Sequence, residues 1–432
     1  MSRIERERAG PTTAGEQQIE LEARIGRVGR GLQRSLSELL AAVPGVPKRP
    51  VQLSKALGVN QDLAGKALLA ASTADPLAAT HLMPGPEALR MLAKAARRKR
   101  VDSRLVGGVE EAVQQFDDLL RGVVGGRSEL DAIISAWLPG TREKFELSNK
   151  RAMFRGVSNL KGVVADFGVQ AGILAPSGKG DDCCSVIVLS GLVGLRRLRP
   201  GSTICLSSGA VGPGAQEVSR FTLDGQPVDL RRGETLLEQF STSPLPAFDI
   251  RENDGYVQHL LRDGLVGLEA RVDVFLGELM TGIRNRYQLP GSNRRIGGSA
   301  DVELPLKILV FDMLIHDAVW PDQTPELLLF DTILRGHADA NDPARQSDRL
   351  DLRETIEPLD HGIRGCRIAE VPRYTELLCY ACDCVGWQPE AFRCYRCRIQ
   401  YPFYGMQVHM TFDAPSPPAD ATARSSGAED AS

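Results

Sequence analysis

Apolar positions recur at helical spacing from Gln17 to Leu40: Ile19, Leu21, Ile25, Val28, Leu32, Leu36 and Leu39 or Leu40 form one stripe. Arg24, Arg27, Arg30 and Arg34 line much of the other side, so the segment reads as a long amphipathic helix. The stretch VPGVPKRP at 43–50 breaks it. Two shorter stripes follow. Leu53, Ala56 and Leu57 give a first short helix its apolar face, and Leu63, Ala64, Ala67 and Leu68 give a second helix its own. Gln61, Asp62, Gly65 and Lys66 are left pointing outward. After Ala71, STADPLAATHLMPG leaves room for a small wing, with Thr80–Met83 as a short strand and Pro84-Gly85 as its turn. A further helix opens at Pro86 and Glu87 and runs to 100, and 103–162 reads as two or three more.

From about 163 the texture changes to short β-rich runs punctuated by Gly, Pro and Asp. CSVIVLSGL, STICLSS, SRFTLDGQPVDL, LKILVFDMLIH and ELLLFDTIL (326–334) are the strand candidates. Asp224-Gly225 suggests a two-residue primed hairpin turn. Helices are expected at roughly 233–240, 266–287 and 373–386.

The junction of the two short stripes carries more than periodicity. Gly58 ends the first helix where a left-handed conformation is needed. Val59 can plug the space between the helices, and Asn60 is a good N-cap for the second. Ser54 lies four positions before Gly58. Small residue, turn glycine, apolar residue and short polar cap in this order make residues 51–71 resemble the helix-turn-helix of bacterial transcriptional regulators. The resemblance covers about twenty residues and implies a second helix that enters a DNA major groove. Gln61, Asp62 and Lys66 are then the groove contacts, Gln favouring adenine and Asp able to accept from cytosine. Gly65 inside that helix costs roughly 1 kcal/mol relative to Ala, and close approach to a groove wall would be its return.

Charge supports the same end of the chain. The net charge of −3 hides an asymmetry, because residues 1–105 hold 18 Lys and Arg against 10 Asp and Glu, and the rest holds 34 against 45. A basic head on an acidic body suggests a polyanionic partner. The densest cluster is Lys94, Arg97, Arg98, Lys99 and Arg100 at the end of the Pro86 helix, and Lys48, Arg49 and Lys55 flank the turn. Part of the cluster serves the helix dipole; five cations exceed that need and fit phosphate contact.

The remaining chemistry is sparse. Cys379, Cys382, Cys394 and Cys397 make C-x2-C-x11-C-x2-C, a spacing that raises zinc, with Cys384 as a substitute ligand. Neither CYAC nor CYRC contains a knuckle Gly or Pro, and RCYRCRIQY alternates like a strand, which would turn Cys394 and Cys397 to opposite sides. Buried small hydrophobes are the reading preferred for these thiols, and no cofactor is expected. Asp181-Asp182-Cys183-Cys184 reads as a turn entering a strand, because neighbouring acids raise a thiol pKa and argue against a nucleophile. Six dispersed histidines form no HxxxH or HExxH pair, and no phosphate-binding glycine loop is present in the sequence. No catalytic motif is found, so an enzyme is not expected.

The expected architecture is α+β and multidomain. It comprises a flexible tail 1–14, an all-α helix-turn-helix domain 15–102 with room for a wing, a helical connector or dimerisation segment 103–162, a mixed α+β domain 163–412 and a disordered tail 413–432. Hydrophobic content of 42% and the charged N-terminus MSRIERERAG suit a folded cytoplasmic protein without a membrane partner. The expected function is binding of double-stranded DNA as a transcriptional regulator, in an arrangement that admits a homodimer and an unidentified small-molecule effector. The rival is an interaction or scaffold protein whose basic head meets an acidic protein.

Overall fold

A computed structural model describes residues 14–45, 48–178, 182–210, 219–262, 264–283, 286–288 and 292–417. The tails expected at 1–14 and 413–432 therefore fall largely outside the described residues, as does Asp181. The chain divides into two compact units, Met1–Glu146 and Leu147–Ser432.

The first unit is helical. Its elements are α1 (Ala14–Ala41), α2 (Pro50–Leu57), α3 (Gln61–Ser72), α4 (Pro76–Leu82), α5 (Pro86–Arg98), α6 (Ser103–Leu119), a π turn at Leu120–Val124, and α7 (Arg127–Trp137). Helix α8 (Pro139–Lys161) spans the boundary between the units. Leu32, Leu36 and Leu39 of α1 are fully buried in one core with Leu53, Ala64, Ala67, Leu89, Leu92, Phe116 and Ile134. Helices α6 and α7, read from sequence as a connector, thus contribute to the same core as α1–α5. Ile19 corrects the α1 stripe: it is 69% exposed, and the packed positions begin with the partly buried Leu21.

No wing forms between α3 and α5. The residues proposed for its strand, Thr80–Met83, belong to α4 and its C-cap. Asp75 explains why, since its carboxylate accepts from the Leu77 and Ala78 amides and Pro76 stands at the first helical position. The Thr80 hydroxyl then donates to the Pro76 carbonyl instead of exposing itself in a strand.

The second unit is a layered α+β body. Its strands are β1 (Val163–Pro176), β2 (Cys184–Arg197), β3 (Cys205–Ala210), β4 (Ser219–Phe221), β5 (Phe248–Asn253), β6 (Tyr256–Leu261), β7 (Val272–Ile283), β8 (Ile296–Asp301), β9 (Leu306–His316), β10 (Glu326–Asp331), β11 (Ile356–Pro358), β12 (Phe392–Gln400) and β13 (Met406–Phe412). Seven of them form a sheet in the order β11-β12-β9-β1-β2-β7-β4, antiparallel throughout except for the parallel pair β1–β9. Two three-stranded sheets, β10-β13-β8 and β3-β6-β5, complete the β structure of the described residues. Phe311, Met313 and Ile315 of β9 share one core with Met406, Val408, Met410 and Phe412 of β13. Val310 and Leu314 point the other way, into a second core closed by Leu377, Leu378 and Cys382 of α9 (Tyr374–Val385). Near-continuous apolar sequence in β9 follows from burial on both faces.

Two expected helices are absent. Residues 233–240 hold only a short 3-10 turn at Glu238–Phe240, and 266–287 contain β7. Val272, Val274, Phe275, Thr281 and Ile283 suit a strand, Gly277 and Gly282 weaken a helix, and β2 and β4 pair with β7 from either side. The Asp224-Gly225 hairpin is also of another type. The Gly225 amide donates to Thr222 and Gly225 has φ +86°, whereas Asp224 is not left-handed, which describes a three-residue loop ending in a left-handed glycine.

Candidate functional site

The α2–α3 junction is held by four hydrogen bonds that follow from the residue types. Gly58 adopts φ +69°, and its amide donates to the Ser54 carbonyl at 2.8 Å. The Ser54 hydroxyl donates to the Val59 carbonyl at 2.7 Å, and the Val59 amide returns to Ser54 at 3.1 Å. Asn60 caps α3 by accepting from the Asp62 amide at 2.7 Å. At the start of α2, where Pro50 supplies no capping side chain, the Gln52 amide oxygen accepts from the Arg49 amide at 3.2 Å.

Helix α3 is gripped from behind. Ala64, Ala67 and Ala70 are fully buried, and residues this small let its backbone lie close to its neighbours. From α1, Gln33 donates to the carbonyls of Ala70 and Thr73, and Ser37 donates to Ala71 at 3.2 Å. These bonds satisfy carbonyls that the helix end leaves unpaired, and they tie its orientation to α1.

The outward face of α3 presents Gln61, Asp62 and Lys66, all exposed. Asp62 and Lys66 pair with each other at 2.8 Å, an interaction between two well-solvated groups. The same face carries an apolar feature that the sequence stripe did not reveal: Leu69 is 52% exposed and lies with Pro50 and Gly65 along a shallow groove. A Cβ built on Gly65 would meet Pro50 Cγ at 3.7 Å, an ordinary contact, so internal packing does not demand glycine there.

Of the basic cluster, Arg97 is occupied by Glu110 of α6 at 2.7 Å. Lys94, Arg98, Lys99 and Arg100 are exposed and form no ion pair among the described residues, and the same is true of Lys48, Arg49 and Lys55. Arg100 adopts φ +60° and ends the helix. Helix α5 packs against α2 and α6.

In the second unit the cysteines part company. Cys382 and Cys394 lie in the core beneath α9 and Cys397 lies in the core on the opposite face of the sheet, as positions i and i+3 of a strand require. Cys379 is half-buried and Cys384 exposed. No group of three or more His, Cys, Asp or Glu among the described residues is arranged to hold a metal ion. Burial pushes the thiols of Cys382 and Cys397 up to about 12, which removes them from nucleophilic chemistry. Cys184 starts β2, and burial raises its thiol to about 12 as well.

Two buried polar clusters have no local sequence signal. Asp312 of β9 is 1% exposed and accepts from Arg396 Nε at 2.8 Å, Arg396 Nη2 at 2.6 Å and the Tyr374 hydroxyl at 2.7 Å. Arg396 also donates to the Arg367 carbonyl at 2.7 Å, so the network is satisfied and reads as structural. On the outer side of β13, His409 stands 6.0 Å ring to ring from His337, and its Nε2 is buried without a hydrogen-bond partner. Burial lowers the His409 pKa to about 4, whereas the hydrogen bond to Asp301 raises that of His337.

No family model and no curated protein matches the chain. A solved structure described as "a putative protease from Parabacteroides distasonis ATCC 8503" is similar at 9% identity over 58% of this chain, with a TM-score of 0.24. The chain spans 40% of that protein's length, and a likeness this slight carries no statement about fold or activity.

Proposed function

We propose that the helical unit binds double-stranded DNA and that the protein is a cytoplasmic transcriptional regulator whose α+β body senses an effector or mediates assembly. One observation carries this reading. A short helix, capped by Asn60 and anchored from behind by Gln33 and Ser37, turns Gln61, Asp62 and Lys66 outward in a unit that also displays uncompensated cations. Base contacts come from the α3 side chains, and Lys94, Arg98, Lys99 and Arg100 hold phosphates. Arg97 has a structural part in addition, through Glu110. Gly65 gives a groove wall close access to the helix backbone, which accounts for a glycine that packing does not require. All nine cysteines are free, in keeping with a reducing compartment. No helix among the described residues is long and apolar enough to cross a membrane.

The test is fluorescence anisotropy of the full chain on fluorescein-labelled duplexes selected from random sequence, across a salt series. Replacing Lys94, Arg98, Lys99 and Arg100 with Ala is expected to weaken binding to every duplex by ten-fold or more and to reduce the salt slope by about 0.9 per lost phosphate contact. Gly65→Ala is expected to stabilise the helical unit by about 1 kcal/mol while weakening DNA binding. Unchanged affinity and slope in both variants would overturn the proposal and favour an acidic protein as the partner of the basic surface.

A further inference from the structure

The second unit contains a crevice of about 270 Å³ whose walls differ in kind. Its floor is the seven-stranded sheet, where Gln170 of β1 and Ser190 of β2 sit opposite each other in register. One wall is β3, and the other is the end of β8 with its turn into β9, including Glu303. Among the described residues, strand β3 is the outermost of its sheet and pairs with β6 on one side only. Four consecutive β3 residues, Cys205–Ser208, line the crevice. A register shift between Cys205 and Ser207 interrupts regular alternation along this wall. The Ser207 hydroxyl lies 2.6 Å from His259 Nδ1, its register partner on β6. The edge of β3 away from β6, which has no strand partner among the described residues, borders the crevice.

The opposite wall is anionic. Glu303 has no ion-pair partner among the described residues; Lys161, the cation that influences it, is engaged with the Tyr404 hydroxyl at 3.0 Å. Desolvation and the neighbouring Asp301 raise the Glu303 pKa, and Lys161 opposes them without forming an ion pair. Gln170 and Ser190 are half-buried on the floor, and neither side chain has a hydrogen-bond partner among the described residues. A narrow slot with a strand edge on one side and an unmatched carboxylate on the other is suited to one class of occupant.

We infer that this crevice binds an extended peptide segment of a partner protein, which adds as a strand to the free edge of β3 and places a Lys or Arg side chain against Glu303. Main-chain pairing along β3 supplies affinity without sequence preference, and Glu303 supplies the selection for a basic residue. This site lies wholly in the α+β body and is independent of DNA binding by the helical unit.

The experiment uses the full chain and three blocked heptapeptides: Ac-SVTKVTS-NH2, the same peptide with Glu for Lys, and the same peptide with Pro for the Val after Lys. Binding is read by isothermal titration calorimetry, and its location by backbone hydrogen exchange. The Lys peptide is expected to bind saturably and to slow exchange across 205–210; the Glu and Pro peptides are expected to bind at least ten-fold more weakly. Glu303→Gln, at an exposed position, is expected to erase the preference for Lys over Glu while leaving β3 protection at saturation. Equal binding of the Lys and Pro peptides, or saturation without protection of β3, would overturn the inference. So would an absence of saturable binding at millimolar Lys peptide, or displacement of that peptide by equimolar n-butylamine, which would mark a small-cation site.

Discussion

The two units keep their charged groups in different places. In the helical unit many ion pairs lie on the surface, as Arg34 with Glu38 along α1, Asp62 with Lys66 on α3 and Arg97 with Glu110 between helices, whereas Asp117 between Arg90 and Arg121, Glu146 with Arg142, and Asp131 with His81 and Arg127 are more enclosed. Its core is built from leucines and closely set alanines. The body instead drives charge into its middle, with Asp312, Arg396 and Tyr374 meeting under α9 and His409 unpaired behind β13. Amphipathic helices can send every long polar side chain to one side. A central strand buried on both faces cannot, and a charge placed there must find partners within the protein.

The largest expected effect sharpens this contrast. Asp312→Ala leaves Arg396 buried without its counter-ion and is expected to destabilise the body by about 3–5 kcal/mol in urea unfolding. Replacing Asp312 and Arg396 together with Leu and Met should recover much of that loss; an equal loss in the double variant would break the argument. The next effect concerns His409. Its folded pKa of about 4 lies below the unfolded value, so the unfolded chain binds more protons in between, and stability falls as pH drops from about 6.5 towards 4. His337, raised by Asp301, acts in the opposite sense, adding stability below pH 6.5 that is lost as pH rises through its folded value. The His409 contribution between pH 7 and 4.5 is about 2–3 kcal/mol, and His409→Gln is expected to remove it from the pH profile. The smallest effect lies in the helical unit, where Arg34→Ala should change stability by less than about 0.5 kcal/mol. A loss above 1 kcal/mol there would mean that surface pairs matter equally in both units.

Much of the helical unit was legible because its signals are local. Gly58, Asn60, Pro86 and the Leu32–Leu36–Leu39 stripe each act within one or two turns of their own position. The wing failed for a local reason also: Asp75-Pro76 is a better helix start than Pro84-Gly85 is a hairpin turn. The body is less readable because its pairings are distant. Strand β1 carries a weak sequence signal, since VVADFGVQAGILAP neither alternates cleanly nor forms a continuous apolar run, and its partner β9 lies more than a hundred residues away. Strand β7 mixes Leu276, Glu278, Leu279 and Met280 with β-branched and aromatic residues, and its pairing with β2 and β4 is distant in sequence. The outward face of α3 could be read from spacing, whereas the crevice between β3 and Glu303 joins segments about a hundred residues apart and leaves no motif.

The parallel pair β1–β9 has a consequence for how the chain is made. Antiparallel neighbours β1 and β2 can join as soon as both leave the ribosome, but the centre of the large sheet stays open until residue 316 has been translated, and its flank until β12 follows. Throughout that interval one edge of β1 awaits its neighbour, while the helical unit, whose last packing partner for α1 is α6, has already been translated in full. The large sheet is therefore expected to close only after the whole helical unit has left the ribosome.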